Sequence, residues 1–294
     1  MSQLLITVFT PTYNREQLLT RLFNSLREQA FKNFEWLIVD DGSTDNTHDV
    51  VQKFVEEGII PIKYVFKRNG GKHRAINEGV KHAKGELFFI VDSDDMLPPD
   101  ALKRVAEVYQ QIKDDRDFGG VAGVDVYPDG RIVGSGLSAP VIDCNSIDIR
   151  SKYHVVGDLS EVFRTDVMRE FPFPEIEGEK FCPEVLVWNR IARKYKLRYF
   201  NEAIYIAEYQ PEGLTARIVE IRMKSPIAST TCYAEMVSLN IPFNDKVKAA
   251  INYWRFRFCC KGKITITKMG WLWKCVAPLG WLMHVKDLRM VKDK

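Results

Sequence analysis

The sequence lacks the motifs of several common classes of binding site. None of its 6 cysteines forms a CxxC pair and no cysteine–histidine cluster has zinc-ligand spacing, which argues against a structural zinc site. Neither GxGxxG nor GxxxxGK[ST] occurs, which argues against a Rossmann dinucleotide site and a P-loop NTPase. Internal repeats and low-complexity linkers are also missing, so the sequence is typical of a globular protein.

An excess of charge of either sign is missing too. The 42 basic and 39 acidic residues give a net charge of +3, so nucleic acid is not an expected partner. The first apolar run, residues 4–9, has no basic segment before it and ends at Pro11, which is too short for a signal peptide. We therefore expect a cytoplasmic protein with reduced cysteines.

Strand and helix patterns alternate along the first 115 residues. Near-continuous apolar runs, typical of strands covered on both faces, lie at 4–9, 34–39, 62–66 and 87–91. Helix patterns follow at 18–26, 44–57, 72–84 and from Pro98 onward. The alternation predicts an α/β fold with a doubly wound, mostly parallel sheet flanked by helices.

The pattern loosens after about residue 118. Apolar runs at 121–126 and 131–133 flank Asp129-Gly130, which predicts a hairpin. A helix is predicted at 183–195 and a strand at 198–209, and the chain looks helical from Arg217 onward.

Polar clusters follow the predicted strands at the points where the strands end. These clusters are Thr10-Pro11-Thr12-Tyr13-Asn14, Asp40-Asp41 and Asp92-Ser93-Asp94-Asp95. Ligands of doubly wound sheets bind beyond the carboxyl ends of the strands. One cluster would be explained by helix capping, whereas three on one edge indicate a binding site.

The last cluster places three carboxylates within four residues. Because such groups repel one another, an ordered cluster indicates a counter-cation, and oxygen ligands suit Mg²⁺ or Mn²⁺. A diphosphate bridged by that metal is a better leaving group. The alternative is a solvated loop whose acids cap the next helix.

Two further segments permit both a functional and a structural interpretation. The segment 40–47 either forms a turn with a helix N-cap, or supplies a carboxylate that accepts a hydrogen bond from a base N–H or a ribose hydroxyl. Lys72 and Arg74, which follow Gly70-Gly71, either offset phosphate charge or begin a solvated helix.

Five motifs in this order resemble those of the family 2 glycosyltransferases of the GT-A fold. They are 10–14, 40–47 (Asp-Asp-Gly-Ser-Thr-Asp-Asn-Thr), Asn69-Gly70-Gly71 with 75–79, Gly85-Glu86, and 92–95 (Asp-Ser-Asp-Asp). The resemblance implies an inverting transfer of a sugar from a nucleotide-diphosphate donor, often a UDP-sugar, with Mn²⁺ or Mg²⁺ as cofactor. It also implies a saccharide acceptor.

The resemblance also assigns residues to the donor and the metal. The donor-binding residues by motif position are Thr10, Pro11, Tyr13, Asp41, Asn69, Lys72, Asp92 and Ser93. Asp94 would be the main metal ligand, with Asp92 beside it.

The catalytic base implied by the resemblance is Glu184. Family members carry a Glu-Asp pair about six residues before an arginine, which matches Arg190, but Pro183-Glu184 replaces that pair here. A carboxylate at a helix N-terminus can remain ionised and accept the proton of the acceptor hydroxyl. The alternatives are that Glu184 only complements the helix dipole, or that Asp158 or Glu179 is the base.

The resemblance suggests a division of the chain. A catalytic domain is expected at 1–215, with a nucleotide-binding half at 1–115 and an acceptor-side half at 116–215. A helical extension is expected at 216–294, and its tryptophan-rich, lysine-flanked segment 264–291 has two interpretations. It lies in a membrane interface, which suits a lipid-linked acceptor of bacterial surface polysaccharide synthesis on the inner face of the cell membrane. Otherwise it packs on the catalytic domain or on a second subunit of a homo-oligomer.

Two rival functions remain at the level of sequence. A nucleotidyltransferase also joins an α/β fold to a carboxylate-bound metal, but usually has a glycine-rich basic loop near the N-terminus. A non-catalytic nucleotide-sugar-binding protein would bind the same donor without turnover.

Overall fold

The computed structural model describes residues 4–208, 217–260 and 267–292. The strands are β1 (Ile6–Thr12), β2 (Phe34–Asp40), β3 (Ile62–Phe66), β4 (Leu87–Ile90), β5 (Phe118–Val126), β6 (Val141–Cys144), β7 (Leu159–Arg164) and β8 (Lys196–Ile206). The helices up to the last strand are α1 (Leu19–Arg27), α2 (Thr47–Glu57), α3 (Lys72–His82), α4 (Ala101–Gln110), α5 (Asp148–Ser151), α6 (Thr165–Glu170) and α7 (Glu184–Ile191). The later helices are α8 (Ile218–Lys224), α9 (Pro226–Val237), α10 (Phe243–Arg257) and α11 (Ala277–Lys292), with a 3-10 helix at Trp271–Val276.

The eight strands form one sheet in the order β3-β2-β1-β4-β7-β5-β8-β6. The pairs β1–β2, β1–β4, β2–β3 and β5–β8 are parallel, and β4–β7, β5–β7 and β6–β8 are antiparallel. The predicted mostly parallel sheet is therefore confirmed. Its parallel half, β3-β2-β1-β4, is built from the four strand–helix repeats, because a helical crossover returns each strand in the same direction.

The strand order reverses beside β1. The chain leaves β1 for β2 and β3 on one side, and then returns to place β4 on the other side of β1. Such a reversal opens a crevice at the carboxyl ends of the two central strands, where doubly wound folds bind ligands. The segments that follow β1 and β4 border this crevice.

The main core lies on one face of this sheet. Phe23 of α1 and Phe54 of α2 stack on each other with ring centroids 4.2 Å apart, and the fully buried Trp36 of β2 packs against both rings. Helix α3 packs against β1, and a Cβ on Gly79 would lie 2.2 Å from a ring carbon of Phe9. These contacts hold the segments after β1, β2 and β4 at a common edge.

The predicted hairpin is wrong in one respect. The turn exists, since the Tyr127 N–H donates to the Arg131 carbonyl at 2.8 Å. However, 131–133 forms only an isolated bridge between Ile132 and Val126, not a strand. The chain leaves the sheet at Gly134, whose φ of +98° turns the backbone away. Tyr209, at the end of the predicted last strand, lies outside the described residues.

The chain divides into two compact units, 1–172 with 191–210, and 173–190 with 211–294. The first contains the whole sheet. The second contains α8 to α11, which confirms the predicted helical C-terminal part, together with residues 173–190. Residues 173–190 group with the later helices in this division, and the domain boundary at 215 stays a prediction. Among the described residues, no helix is both long and apolar enough to cross a membrane.

Candidate functional site

The three polar clusters lie at one edge of the sheet, as expected. Thr12 at the end of β1 pairs in register with Asp40 at the end of β2, and Phe9 of β1 pairs with Ile90 of β4. The Asp41 N–H donates to the Thr12 carbonyl at 2.8 Å, which continues the pairing beyond the strands. The site is therefore built from the loops after β1, β2 and β4.

Asp41 joins β2 to the loop before α3. Its buried carboxylate accepts hydrogen bonds from Lys67 Nζ at 2.6 Å and from the Gly70 and Gly71 N–H groups at 2.9 and 2.6 Å. Asn69 Nδ2 donates to the Asp41 carbonyl at 2.9 Å. Asp41 and Asn69 thus lie together, and Asp41 fixes the backbone from which Lys72 begins α3.

The loops after β1 and β2 are tied to each other. Asn14 has a positive φ of 52°, a conformation that asparagine tolerates better than most residues. Its Oδ1 accepts a hydrogen bond from the Thr44 N–H at 2.8 Å, and its own N–H donates to Ser43 Oγ at 2.8 Å. Tyr13, the preceding residue, is left 48% exposed at the mouth of the site.

The other predicted residues of β1 are buried. Pro11 lies inside the strand, and Thr10 Oγ1 accepts a hydrogen bond from Trp36 Nε1 at 2.9 Å in the core. Thr12 is also buried, and its hydroxyl has no hydrogen-bond partner within the described residues. Donor binding by Thr10 and Pro11 stays a prediction.

Asp92 and Asp94 each face a cation. Lys72 Nζ lies 2.7 and 2.8 Å from the two carboxylate oxygens of Asp92. Arg15 Nη2 lies 3.9 Å from Asp94 Oδ2. Burial raises the pKa of Asp94, and the nearby Asp92 carboxylate adds to the rise, whereas Arg15 and Lys72 act in the opposite direction. Two carboxylates and two cations thus lie together in the loops after β1 and β4 and at the start of α3; Ser93, between the two acids, is buried.

The carboxylates of Asp92 and Asp94 suit a divalent metal ion that is also coordinated by the phosphates of a bound substrate. Throughout 4–208, 217–260 and 267–292, no group of three or more His, Cys, Asp and Glu side chains is placed around a metal position. Mg²⁺ in nucleotide-binding sites typically uses one or two carboxylates together with substrate phosphates and water. Asp92 and Asp94 fit that ligand set, because both are partly exposed carboxylates of the loop that follows β4.

Asp95 holds the loop after β4 in place through hydrogen bonds to residues at or just after the end of β8. Burial raises the pKa of Asp95 to about 7, opposed by hydrogen bonds from the Tyr205 hydroxyl at 2.6 Å and the Glu208 N–H at 2.8 Å. The same Tyr205 hydroxyl accepts a hydrogen bond from the Asp92 N–H at 3.0 Å. Tyr205 of β8 therefore positions the backbone of the acidic segment.

Glu184 is the first residue of α7, at the helix N-terminus where it was predicted. It belongs to the second unit, and its role as base stays a prediction. Glu179 caps α9 instead: its buried carboxylate accepts hydrogen bonds from the Ile227 and Ala228 N–H groups at 2.6 and 2.8 Å. Asp158 is exposed in the loop before β7.

Residues 7–157, just over half of the chain, match the family model described as Glycosyl transferase family 2. The chain belongs to glycosyl transferase family 2. The match runs from β1 to the loop before β7 and includes every donor and metal residue that the motifs assigned.

One curated relative of this chain is TarS of Staphylococcus aureus (strain Mu50), a poly(ribitol-phosphate) beta-N-acetylglucosaminyltransferase. It is 38% identical over 102 residues, which are 34% of this chain and 18% of that protein. The match therefore spans less than a fifth of the relative's length.

Solved structures confirm the predicted GT-A type fold. S. aureus TarS 1–349 in complex with UDP-GlcNAc has a TM-score of 0.61 at 23% identity, covering 86% of this chain and 72% of that one. The mannosyltransferase PcManGT from Pyrobaculum calidifontis, in complex with GDP-Man and Mn²⁺, has a TM-score of 0.57 at 19% identity, covering 95% and 73%.

Three residues of the candidate site were missed by motif reasoning: Arg15, Lys67 and Tyr205. Arg15 directly follows the first motif, so a search for cations in the loops after the strands would have found it. Lys67 precedes the Asn69-Gly70-Gly71 motif by two residues. Tyr205 carries no sequence signal, because it lies 113 residues after Asp92 and meets it only through the sheet.

Proposed function

We propose that this family 2 glycosyltransferase transfers a sugar from a UDP-sugar to an acceptor hydroxyl. The observation that carries the proposal is that Asp92 is paired with Lys72 and Asp94 with Arg15 beyond the carboxyl ends of β1 and β4. A nucleoside diphosphate needs cations, and the divalent metal that accompanies it needs carboxylates. The likeness to an N-acetylglucosaminyltransferase and to a structure with bound UDP-GlcNAc supports UDP as the nucleotide.

The charges of the crevice suggest how the donor enters. Without donor, Lys72 and Arg15 offset the negative charge of Asp92 and Asp94. The diphosphate oxygens would compete for both cations, leaving the two carboxylates available as ligands. Mn²⁺ or Mg²⁺, when bound there, would supply charge neutralisation at the departing diphosphate oxygen.

The nucleoside would be held by the loops after β1 and β2. Tyr13 is exposed at the mouth and offers its ring to the base. Asp41 and Asn69 are already bound to each other, so they would act as one unit beside the ribose. Ser93 would complete the donor pocket between the two acidic ligands.

Transfer requires removal of one proton from the acceptor. We assign this step to Glu184, whose carboxylate would accept the hydroxyl proton as the oxygen attacks the anomeric carbon. The new bond to carbon forms as the bond to the diphosphate oxygen breaks. A single displacement of this kind inverts the configuration at the anomeric carbon.

We base our proposal for the acceptor on the same relative. TarS is named for adding N-acetylglucosamine to a poly(ribitol-phosphate). We propose a related acceptor here, a saccharide or polyol hydroxyl of a lipid-linked bacterial surface polymer. The protein would then act in the cytoplasm, at the inner face of the cell membrane.

Calorimetric titration of the full chain with UDP, GDP and ADP tests the donor site. We expect UDP to bind with Mn²⁺ present and to lose most of its affinity when EDTA removes the metal. UDP-sugars would then be screened for hydrolysis and transfer. Failure of every nucleoside diphosphate to bind would refute the proposed function. Binding of UDP without any turnover would favour the non-catalytic nucleotide-sugar-binding alternative.

A further inference from the structure

The C-terminal part of the second unit exposes an apolar and basic surface. Trp271 and Leu272 of the 3-10 helix are 75% and 65% exposed, and Trp281 and Leu282 of α11 are 50% and 57% exposed. Lys286 and Arg289 are exposed on the same helix. We refer to these six residues as the C-terminal face. Leu282, Lys286 and Arg289 recur at intervals of four and three residues, which places them on one side of α11.

The opposite side of this segment is firmly packed. Trp273 packs against the small core formed by Val237, Ala249 and Ala250. Trp254 Nε1 donates a hydrogen bond to the Trp273 carbonyl at 2.8 Å. A Cβ on Gly280 would lie 2.5 Å from Trp254 Cβ, so α11 crosses α10 with almost no space between them. The tryptophans of the C-terminal face therefore point outward because the inward positions are already occupied.

The exposed charge of this segment has one sign. Between residues 267 and 291 the only acidic residue is Asp287, which is buried and paired with Arg255 through contacts of 2.5 and 2.7 Å. The basic residues of the same stretch, Lys268, Lys274, Lys286 and Arg289, are all exposed. Within residues 267–291 the surface thus combines large exposed apolar side chains with exposed basic ones.

We propose that the C-terminal face binds the surface of an anionic lipid membrane. Tryptophan rings favour the level of the lipid headgroups, and neighbouring basic side chains attract anionic headgroups. A second copy of the chain fits the face less well. The six residues of the face include no acidic side chain, so in a two-fold contact between two copies of the face Lys286 and Arg289 would meet no opposite charge.

Sedimentation of the full chain with lipid vesicles tests this inference. We expect binding to vesicles that contain about 30% anionic phosphatidylglycerol and little binding to pure phosphatidylcholine at about 0.1 M salt. Trp281→Ser/Leu282→Ser should weaken binding at least about tenfold by removing buried apolar area. Lys286→Glu/Arg289→Glu should weaken it by a similar factor, and this pair leaves the apolar contacts intact.

Matched controls separate the face from general effects of charge and apolar area. Lys53→Glu/Lys103→Glu, on α2 and α4, changes the net charge by the same amount at exposed positions of the first unit. Val156→Ser removes an exposed apolar side chain elsewhere. Both should bind vesicles like the unmodified chain, and circular dichroism should show all variants folded.

Three results would overturn the inference: no binding of the unmodified chain to anionic vesicles, equal binding by the face variants and the controls, or a dimer that only the Trp281→Ser/Leu282→Ser variant dissociates. No donor or acceptor is present in this experiment. A failure of the proposed sugar transfer would therefore leave its outcome unaffected.

Discussion

Three aspartates within four residues of sequence have three different surroundings. Asp92 is paired with Lys72, Asp94 faces Arg15 at longer range, and Asp95 accepts hydrogen bonds from the Tyr205 hydroxyl and the Glu208 N–H. Different partners therefore separate residues that look equivalent in the sequence. Asp92 and Asp94, which face cations, are suited to a ligand, whereas Asp95 supports the loop.

The first prediction at this scale concerns Asp94. Asp94→Asn removes the negative charge that a divalent cation needs, so the affinity for UDP measured with Mn²⁺ should fall at least about tenfold. In EDTA the variant and the unmodified chain should bind UDP equally. Asp100→Asn, an exposed position at the start of α4, is the control and should change neither value. Equal Mn²⁺-dependent binding by the Asp94 variant would refute the metal assignment.

The second prediction concerns Glu184. Glu184→Gln keeps the size of the side chain but loses the proton acceptor, so transfer should slow by about 10²–10⁴-fold while UDP affinity stays unchanged. Single-turnover assays and titration measure the two quantities separately. Glu177→Gln, an exposed glutamate nearby in sequence, should behave as the unmodified chain. Normal turnover of the Glu184 variant would mean that another residue is the catalytic base, and Asp158 would be the next candidate.

The third prediction concerns the buried Asp41 carboxylate. Asp41→Asn would turn an amide NH₂ toward donors such as Lys67 or the Gly71 N–H, leaving hydrogen bonds unmade. The free energy of unfolding should fall by about 1–3 kcal/mol, as measured by urea denaturation. Asp129→Asn in an exposed turn serves as the comparison and should cost far less. An equal loss in both variants would mean that Asp41 does not hold the loop before α3.

At the scale of elements, the ends of helices do much of the positioning. The loop before α3 is held by Asp41, and α9 begins at Pro226, where Glu179 accepts the N–H groups of the next two residues. Both carboxylates satisfy backbone donors that a helix cannot pair internally. A buried carboxylate that accepts two backbone N–H groups thus holds the loop before α3 in the first unit and the start of α9 in the second.

The fourth prediction tests the α9 cap. Glu179→Ala should lower the free energy of unfolding of the second unit by about 1–3 kcal/mol, because two backbone N–H groups lose their acceptor. Tryptophan fluorescence during urea denaturation is a suitable probe, since every tryptophan except Trp36 lies in that unit. Glu177→Ala, at an exposed position, is the control. A loss as large in the control would show that Glu179 does not act as a cap.

At the scale of the whole molecule, the family match and the compact units coincide only in part. The match ends at residue 157, within the first unit, while the sheet continues through β7 and β8. β8 contributes Tyr205 to the acidic segment after β4. The predicted nucleotide-binding half therefore depends on strands that come later in the chain.

The fifth prediction concerns the pH dependence of the sheet's stability. Burial raises the pKa of Asp125 on β5 to about 7; the Ser160 hydroxyl opposes the rise, Asp158 and Asp95 add to it, and Arg150 opposes it. An unfolded aspartate titrates near pH 3.9, so between about pH 4 and pH 7 the folded state keeps a proton that the unfolded state has lost. The contribution of Asp125 to the free energy of unfolding should therefore decrease as pH rises through this window.

Asp125→Asn removes this titration and keeps an acceptor for Ser160. From pH 5 to pH 7 the unmodified chain should lose about 2 kcal/mol of its free energy of unfolding through Asp125, whereas the variant should not show this loss. The difference between the two chains should therefore grow by about 2 kcal/mol over this range, as followed by circular dichroism in urea. Asp129→Asn on the adjacent turn is the control, because its pKa is lowered by the hydrogen bond from Arg131 and it stays ionised throughout the window. Parallel pH profiles of the Asp125 variant and the unmodified chain would contradict the prediction.

The amino-acid sequence alone determined the first half of the fold and the place of the site. Apolar runs and helical spacing depend on near neighbours, so 4–91 could be divided into strands and helices with small errors at their ends. Parallel strands joined by helices bring their carboxyl ends to one edge, which is why the clusters at Asp41 and Asp92 were expected together. Five ordered motifs were sufficient to identify the family.

Tertiary structure decided what depends on contacts distant in sequence. The place of β7 between β4 and β5, and the pairing of β8 with β5, are set by packing of the sheet and have no local signal. For the same reason only the structure showed that Tyr205 supports Asp92, that Glu179 caps α9 and that Arg255 neutralises Asp287. A side chain's residue type gives its chemistry, but the partners that direct this chemistry come from the folded chain.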